Sequence, residues 1–210
     1  LSYVDKTVSE YVGTVAAREP VPGGGSVASL AGALGAALTT MVCVFTAGNP
    51  KYAEHEQKVN EIAAKAEPLR ATLMDLVDKD IAVYSEVTAA FKLPRATAED
   101  KAARQRAIQE ALVHAAAVPL AIAKAAREVA LLNRELVDIG NPNLVSDVGV
   151  SALLAEACLR GAALNVEINA AGIKDEATAA GLRSFLAEAL PEVQAITEEV
   201  MSKTRAQIGG

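Results

Sequence analysis

The stretch from Pro20 to Pro50, PVPGGGSVASLAGALGAALTTMVCVFTAGNP, constrains this chain more than any other, because no charged residue falls between Glu19 and Lys51. A helix-length run of Ala, Gly, Leu, Val and Thr has no polar face to give to water, so it must be buried nearly all round. Ala28, Gly32 and Ala36 recur at i, i+4 and i+8 and smooth one flank, so a second helix can approach closely. Ser26 is placed to cap the helix with its hydroxyl, and Gly23, Gly24 and Gly25 let the preceding backbone turn where a Cβ would clash. Such a start presents free N–H groups and the positive end of the helix dipole to an anion. The alternative for the three glycines is a flexible entry turn.

A run this long also has the length of a membrane span. Its apolar content is mostly Ala and Gly, no Trp or Tyr belt flanks it, and no comparable second span follows. A central buried helix is therefore the expectation. The rest of the composition agrees: 51% of residues are hydrophobic but only 3% aromatic, which favours closely packed helices over a sheet. A net charge of −6 without a basic cluster argues against nucleic acid as a partner. Cys43 and Cys158 have no metal or redox spacing and read as buried small hydrophobes in a reducing compartment. With no secretory pattern at the start of the chain, the expected location is the cytoplasm.

In order along the chain, Tyr3 to Arg18 is amphipathic, with Val4, Val8, Tyr11, Val12 and Val15 on one face. After the central helix, which ends near Gly48 to Pro50, a long helical region runs from about Tyr52 to Phe91 with a kink or break at Pro68. Thr97 and Asp100 form a capping box that opens a helix reaching about Ile139, with Pro119 as a second kink. Gly140 to Val145 breaks the chain, and Ser146 starts a helix to about Ala171. A last helix covers about Asp175 to Thr204, kinked near Pro191. No strand-like alternation is present. The expectation is one all-α helical-bundle domain over residues 1–210, with the central helix completing its burial in a homodimer.

Asp80 is the most telling carboxylate. It falls within the apolar stripe Leu69, Leu73, Leu76, Val83 and Val87, while Asp75, Asp78 and Lys79 lie on the opposite side. Burial should raise its pKa and suit it to proton transfer near neutrality. Pairing with an Arg, or capping a neighbouring helix, is the structural alternative. Asn141, Asn143, Ser146 and Asp147 gather at one helix start and exceed what capping needs. Asn165 and Asn169 share a face with Asp147, yet the helical rise puts Asp147 and Asn165 roughly 27 Å apart along the axis. Either the ligand is long, or a neighbouring subunit supplies one group, or the asparagines bridge helices, the last being favoured for Asn169. Lys51 either reaches an anionic ligand or sits at a solvated helix start. Two histidines, His55 in an exposed stretch and His114 partly buried, show no ligand spacing, so no metal site is expected.

Four stretches resemble the cyclodeaminase/cyclohydrolase family of tetrahydrofolate enzymes: residues 20–42, DKDIAVYSEV (78–87), GNPNLVSDVGVSALLAEA (140–157) and GAALNVEINAAGI (161–173). The likeness runs from Val8 to about Ala187, and the segments MVCVFTAGNPKY and EDKAARQRAIQEALVHAAAVPLA are most similar to the stand-alone cyclohydrolases. It implies an all-helical homodimer that binds a folate, with or without a polyglutamate tail, at the subunit interface. It also implies that Gly23, Gly24, Gly25, Ser26, Asp80 and the Asn143–Asp147 corner lie in or near that pocket.

The expected reaction is hydrolysis of 5,10-methenyltetrahydrofolate, whose bridging carbon is already electrophilic, so that no cofactor, metal or covalent nucleophile is needed. Asp80 would take a proton from water and return it to N5. Asp147, the second candidate catalytic carboxylate, would hold the pterin with Asn143 and Ser146. Lys51 and Asn165 complete the candidate binding set. Cyclodeamination of formiminotetrahydrofolate is the close competitor. A non-enzymatic helical dimerisation domain, which would bind no folate, is the third reading.

Overall fold

A computed structural model describes residues 2–209, and among these no strand occurs. The helices are α1 (Val8–Val15), α2 (Gly24–Thr46), α3 (Glu56–Lys92), α4 (Ala98–Ile139), α5 (Val145–Gly172) and α6 (Glu176–Gly209), with 3-10 turns at Pro50–His55 and Pro142–Leu144. The fold is the expected all-α bundle. α2 lies against α3, α4 and α5, and α6 covers α4 and α5.

The smooth flank of α2 does what its spacing predicts. A Cβ on Gly32 would stand 2.6 Å from Cys158 Sγ and 3.2 Å from Leu73 Cδ2, so only glycine allows this approach. Ala28 faces Gly161, and Gly35 faces the Ser151 carbonyl. Numbers rise along α2 as they fall along α5, so the two helices run antiparallel. Burial of residues such as Ile62, Leu73, Ile122, Leu136 and Leu159 supplies about 1.5–3 kcal/mol each. The alanines contribute less area, and their role is to let backbones close in. One polar knot crosses this core. Thr39 Oγ1 donates to Asn133 Oδ1 at 3.0 Å, Asn133 Nδ2 donates to Ser151 Oγ at 2.8 Å, and Ser151 Oγ donates to the Gly35 carbonyl at 2.7 Å. All three side chains are fully buried, so a slipped register of α2, α4 or α5 would leave unsatisfied groups.

α2 is long and apolar enough to cross a membrane by composition. Twelve of its 23 residues are nonetheless buried against its neighbours. It stops where Gly48 takes a φ of +72°, a conformation that side chains rarely adopt. The Thr97–Asp100 capping box is present in both directions, each bond at 3.0 Å.

Several expectations need correction. The break allowed at Pro68 does not occur, since α3 runs through it; α4 and α6 continue through Pro119 and Pro191, as their expected single-helix spans require. α3 begins at Glu56 rather than near Tyr52, because Asn49 and Pro50 first set a 3-10 turn. α5 begins at Val145 rather than Ser146, behind a similar turn. α1 is half the expected length, and of its apolar face only Tyr11 is buried; Val8 is 81% and Val12 58% exposed. Amphipathic spacing shows that one face is apolar, not that a neighbour covers it. His114 is exposed and paired to Glu86 at 2.9 Å, not partly buried.

Candidate active site

Asp80 projects from the apolar stripe of α3 toward the first turn of α2. Its Oδ2 accepts the backbone N–H of Ser26 at 2.9 Å. The fit depends on Gly25, where a Cβ would come within 2.6 Å of the Asp80 Cγ and 2.8 Å of Oδ2. The glycine loop therefore brings a helix N-terminus against a carboxylate, and the helix dipole favours the anion. Burial works the other way and is the larger influence, so the Asp80 carboxyl is raised above its ordinary range, with the Ser26 N–H lowering it in part. Among the described residues no Lys, Arg or His forms an ion pair with Asp80. The arginine-paired alternative is thus not what the structure holds.

Ser26 does not cap α2. Gly23 is the N-cap, without a side-chain bond, and the fully buried Ser26 hydroxyl lies 2.9 Å from the Tyr11 hydroxyl. Burial raises the Tyr11 phenol, the Ser26 bond lowers it, and the nearby charges of Asp80 and Asp78 raise it further. Tyr11 thus braces the turn that holds Asp80. Asp78, two residues earlier, accepts the Ser2 hydroxyl at 2.5 Å and the Tyr3 N–H at 2.7 Å, tying down the start of the chain.

In front of Asp80 opens a cavity of about 560 Å³, within the range of small-molecule sites. Gly23, Gly24 and Gly25 form one edge. Tyr84, Val87 and Phe91 extend from Asp80 along α3, Leu112 and Ala115 come from α4, and Asn165, Ile168 and Asn169 from α5. The sequence reading missed Tyr84, Phe91 and Ile168 as lining residues. A signal for the aromatics existed: the chain has only four Tyr and three Phe, and two of these seven stand seven residues apart beside Asp80's stripe.

The remaining candidates sit elsewhere on the subunit. Asn141 accepts the Tyr52 hydroxyl at 3.2 Å and the Asn143 N–H at 3.1 Å, and its own N–H donates to Thr46 Oγ1 at 2.9 Å. Lys51, Asn143 and Ser146 are exposed there and Asp147 is half-buried. Thr46 ends α2 and Ser26 begins it, so the helical rise separates the two clusters by about 30 Å. Asp80, the glycines and Asn165 share a cavity, while Lys51, Asn143, Ser146 and Asp147 of this chain do not enter it. Asn169 bridges helices as expected, donating to the Ala115 carbonyl of α4 at 3.1 Å. Among the described residues no three His, Cys, Asp or Glu side chains converge on a point that could hold a metal ion.

The fold has a counterpart among solved structures. A solved formiminotetrahydrofolate cyclodeaminase from Thermotoga maritima superposes with a TM-score of 0.79 at 31% identity, covering 98% of this chain and 97% of that one. A methenyltetrahydrofolate cyclohydrolase from Methylorubrum extorquens is 40% identical over 204 residues, 97% of this chain and 98% of its own. The formimidoyltransferase-cyclodeaminase of Rattus norvegicus is 35% identical over 161 residues, 77% of this chain but only 30% of that longer protein. Since the formiminotransferase-cyclodeaminase model matches residues 7–188, nearly the whole bundle and every wall of the Asp80 cavity, the chain belongs to that family.

Proposed function

We propose that this protein hydrolyses 5,10-methenyltetrahydrofolate to 10-formyltetrahydrofolate, with Asp80 carrying the proton. One observation carries the reading: a carboxylate is held at the wall of a ligand-sized cavity with a single N–H donor and no cationic partner. Burying such a charge costs free energy unless something compensates it. The cationic amidinium bridge of the substrate is the compensating group. Water adds to the bridging carbon as Asp80 takes its proton. Asp80 then gives that proton to N5 as the N5–carbon bond breaks, and the hydroxyl proton leaves to solvent as the formyl C=O forms. The reaction releases one net proton, as charge balance requires.

The homodimer belongs to this proposal. Leu34, Val44 and Phe45 of α2 and Val150, Leu153 and Leu164 of α5 are exposed large apolar residues on two adjacent antiparallel helices. Exposed large apolar residues concentrated on two adjacent helices support an interaction surface there. A two-fold axis near the middle of α2 would set the glycine end of one subunit beside the Thr46 end of the other. Lys51 and Asp147 of the partner subunit would then close the cavity. Lys51 would meet the carboxylates of the folate tail, mono- or polyglutamyl, and Asp147 would add negative field beside the cationic bridge. Two free, buried thiols suit a reducing cytoplasm.

The resemblance to the Thermotoga maritima cyclodeaminase favours one competing reading, in which N10 attacks a formimino carbon and the same carboxylate protonates departing ammonia. The test supplies each folate separately and follows the methenyl chromophore. Loss of absorbance from 5,10-methenyltetrahydrofolate supports hydrolysis. Its appearance from formiminotetrahydrofolate, with no hydrolysis, replaces that reading by cyclodeamination.

A further inference from the structure

The cavity is lined by two groups of residues that differ in chemistry. On α3, Tyr84 and Phe91 stand seven residues apart, about 10 Å along the axis, with Val87 between them. Both rings are exposed, Tyr84 48% and Phe91 51%. Phe91 is nevertheless held: Arg104 Nε and Nη2 donate to its carbonyl at 3.3 and 3.1 Å, and the guanidinium lies 5.6 Å from its ring centre. The same cavity is lined on α5 by Asn165 and Asn169. Asn165 Nδ2 donates to the Gly161 carbonyl at 2.9 Å, and Asn169 Nδ2 donates to the Ala115 and Asn165 carbonyls at 3.1 and 3.0 Å. An amide atom that faces a carbonyl oxygen must be the NH2, because two acceptors cannot bond. Both Oδ1 atoms are thereby left over. No protein donor reaches either among the described residues, and neither is sealed away from the cavity.

An aromatic surface and two free acceptors lining one cavity suit a flat ring with N–H donors along one edge. We propose that this cavity holds the pterin ring of the substrate, stacked on Tyr84 and Phe91, with the Asn165 and Asn169 amide oxygens accepting from its 2-amino and N3–H edge. The placement rests on the folate reading above. It moves the pterin from Asn143, Ser146 and Asp147, where the sequence suggested it, to the cavity that contains Asp80. The other ring of a folate does not satisfy these acceptors, because the aminobenzoyl ring carries no N–H donor once N10 is in the bridge.

The test is a comparison of protein and ligand changes together. The ligands are 5,10-methenyltetrahydrofolate and its 2-desamino-2-methyl counterpart, which lacks the exocyclic donor. Wild type should show about a tenfold lower kcat/KM for the desamino compound, the size of one lost hydrogen bond with its acceptor left unpaired. Asn165→Ala or Asn169→Ala, shown to be folded by circular dichroism, should narrow that gap to about threefold or less. Tyr84→Leu should raise KM for both ligands by about tenfold, since aromatic stacking affects ground and transition states alike. If both asparagine variants keep the full discrimination, or Tyr84→Leu leaves KM unchanged, the pterin does not sit in this cavity. Should wild type act on neither compound, the hydrolysis reading fails, and the same comparison is made with formiminotetrahydrofolate and its desamino counterpart; no turnover of those either overturns the folate reading and this placement with it.

Discussion

The two ends of α2 treat polar groups in opposite ways. At the Thr46 end, Tyr52, Asn141, the Asn143 N–H and Thr46 satisfy one another in a closed set of hydrogen bonds. At the glycine end, Asp80 has one N–H and Asn165 and Asn169 keep unused carbonyl oxygens, all beside an open cavity. Both ends are rich in the residue types associated with sites. At the second end the groups short of protein partners line a ligand-sized cavity, and a ligand is what would supply them. Asp78 and Asp80 repeat the contrast two residues apart on one helix: the first is occupied by Ser2 and Tyr3, the second has no cation.

The largest effect should come from Asp80→Asn. Turnover of 5,10-methenyltetrahydrofolate should fall at least about a hundredfold in a chromophore assay, the usual span of general-base help. The same variant should be more stable at pH 7. Because the folded-state pKa of Asp80 is raised, the native protein binds more protons than the unfolded chain between the ordinary and raised values. Stability therefore declines as pH rises through that window, and the asparagine removes the loss. Below the raised pKa wild type is itself neutral, so the Tm difference should shrink there. A destabilised Asp80→Asn would mean that the carboxylate serves the fold.

Gly25→Ala comes next. Its Cβ would collide with the Asp80 carboxylate, so activity should fall by tenfold or more while overpacking costs about 1–3 kcal/mol in chemical denaturation. Leu34→Glu tests whether the two ends meet across a dimer. Sedimentation should show a monomer, and activity should drop even though Leu34 lies on the outer face of α2, away from the cavity. A fully active monomer would confine the site to the glycine end. The smallest effect belongs to the closed set: Tyr52→Phe removes one hydrogen bond and should cost about 1 kcal/mol, read as a modest Tm decrease.

The local parts of this picture were legible in the sequence. Helical periodicity placed Asp80 in an apolar stripe, and the Ala28–Gly32–Ala36 spacing anticipated the close contact with α5. The glycine loop reads as a turn offering N–H groups to an anion, and a carboxylate does lie there, although the Ser26 hydroxyl meets Tyr11 instead of capping: a hydroxyl that can cap can equally bond a buried tyrosine. What could not be read was where faces point once elements pack. α1 shows apolar spacing of which only Tyr11 is covered, and His114 lies in an apolar-looking stretch yet meets solvent and Glu86. Asn143 to Asp147 look like site residues by composition, but helix length carries them about 30 Å from Asp80. Tyr84 and Phe91 went unnoticed because helical spacing gives the same pattern for a core aromatic and for a cavity wall.

The most direct measurement of the central claim is the pH dependence of kcat/KM for 5,10-methenyltetrahydrofolate hydrolysis, corrected for the uncatalysed rate. A base must be ionised to act, so activity should fall on the acid side through an apparent pKa above the ordinary aspartate range, and that limb should vanish from the residual rate of Asp80→Asn. An acid limb that persists unchanged in Asp80→Asn would contradict the account and assign proton transfer to another group.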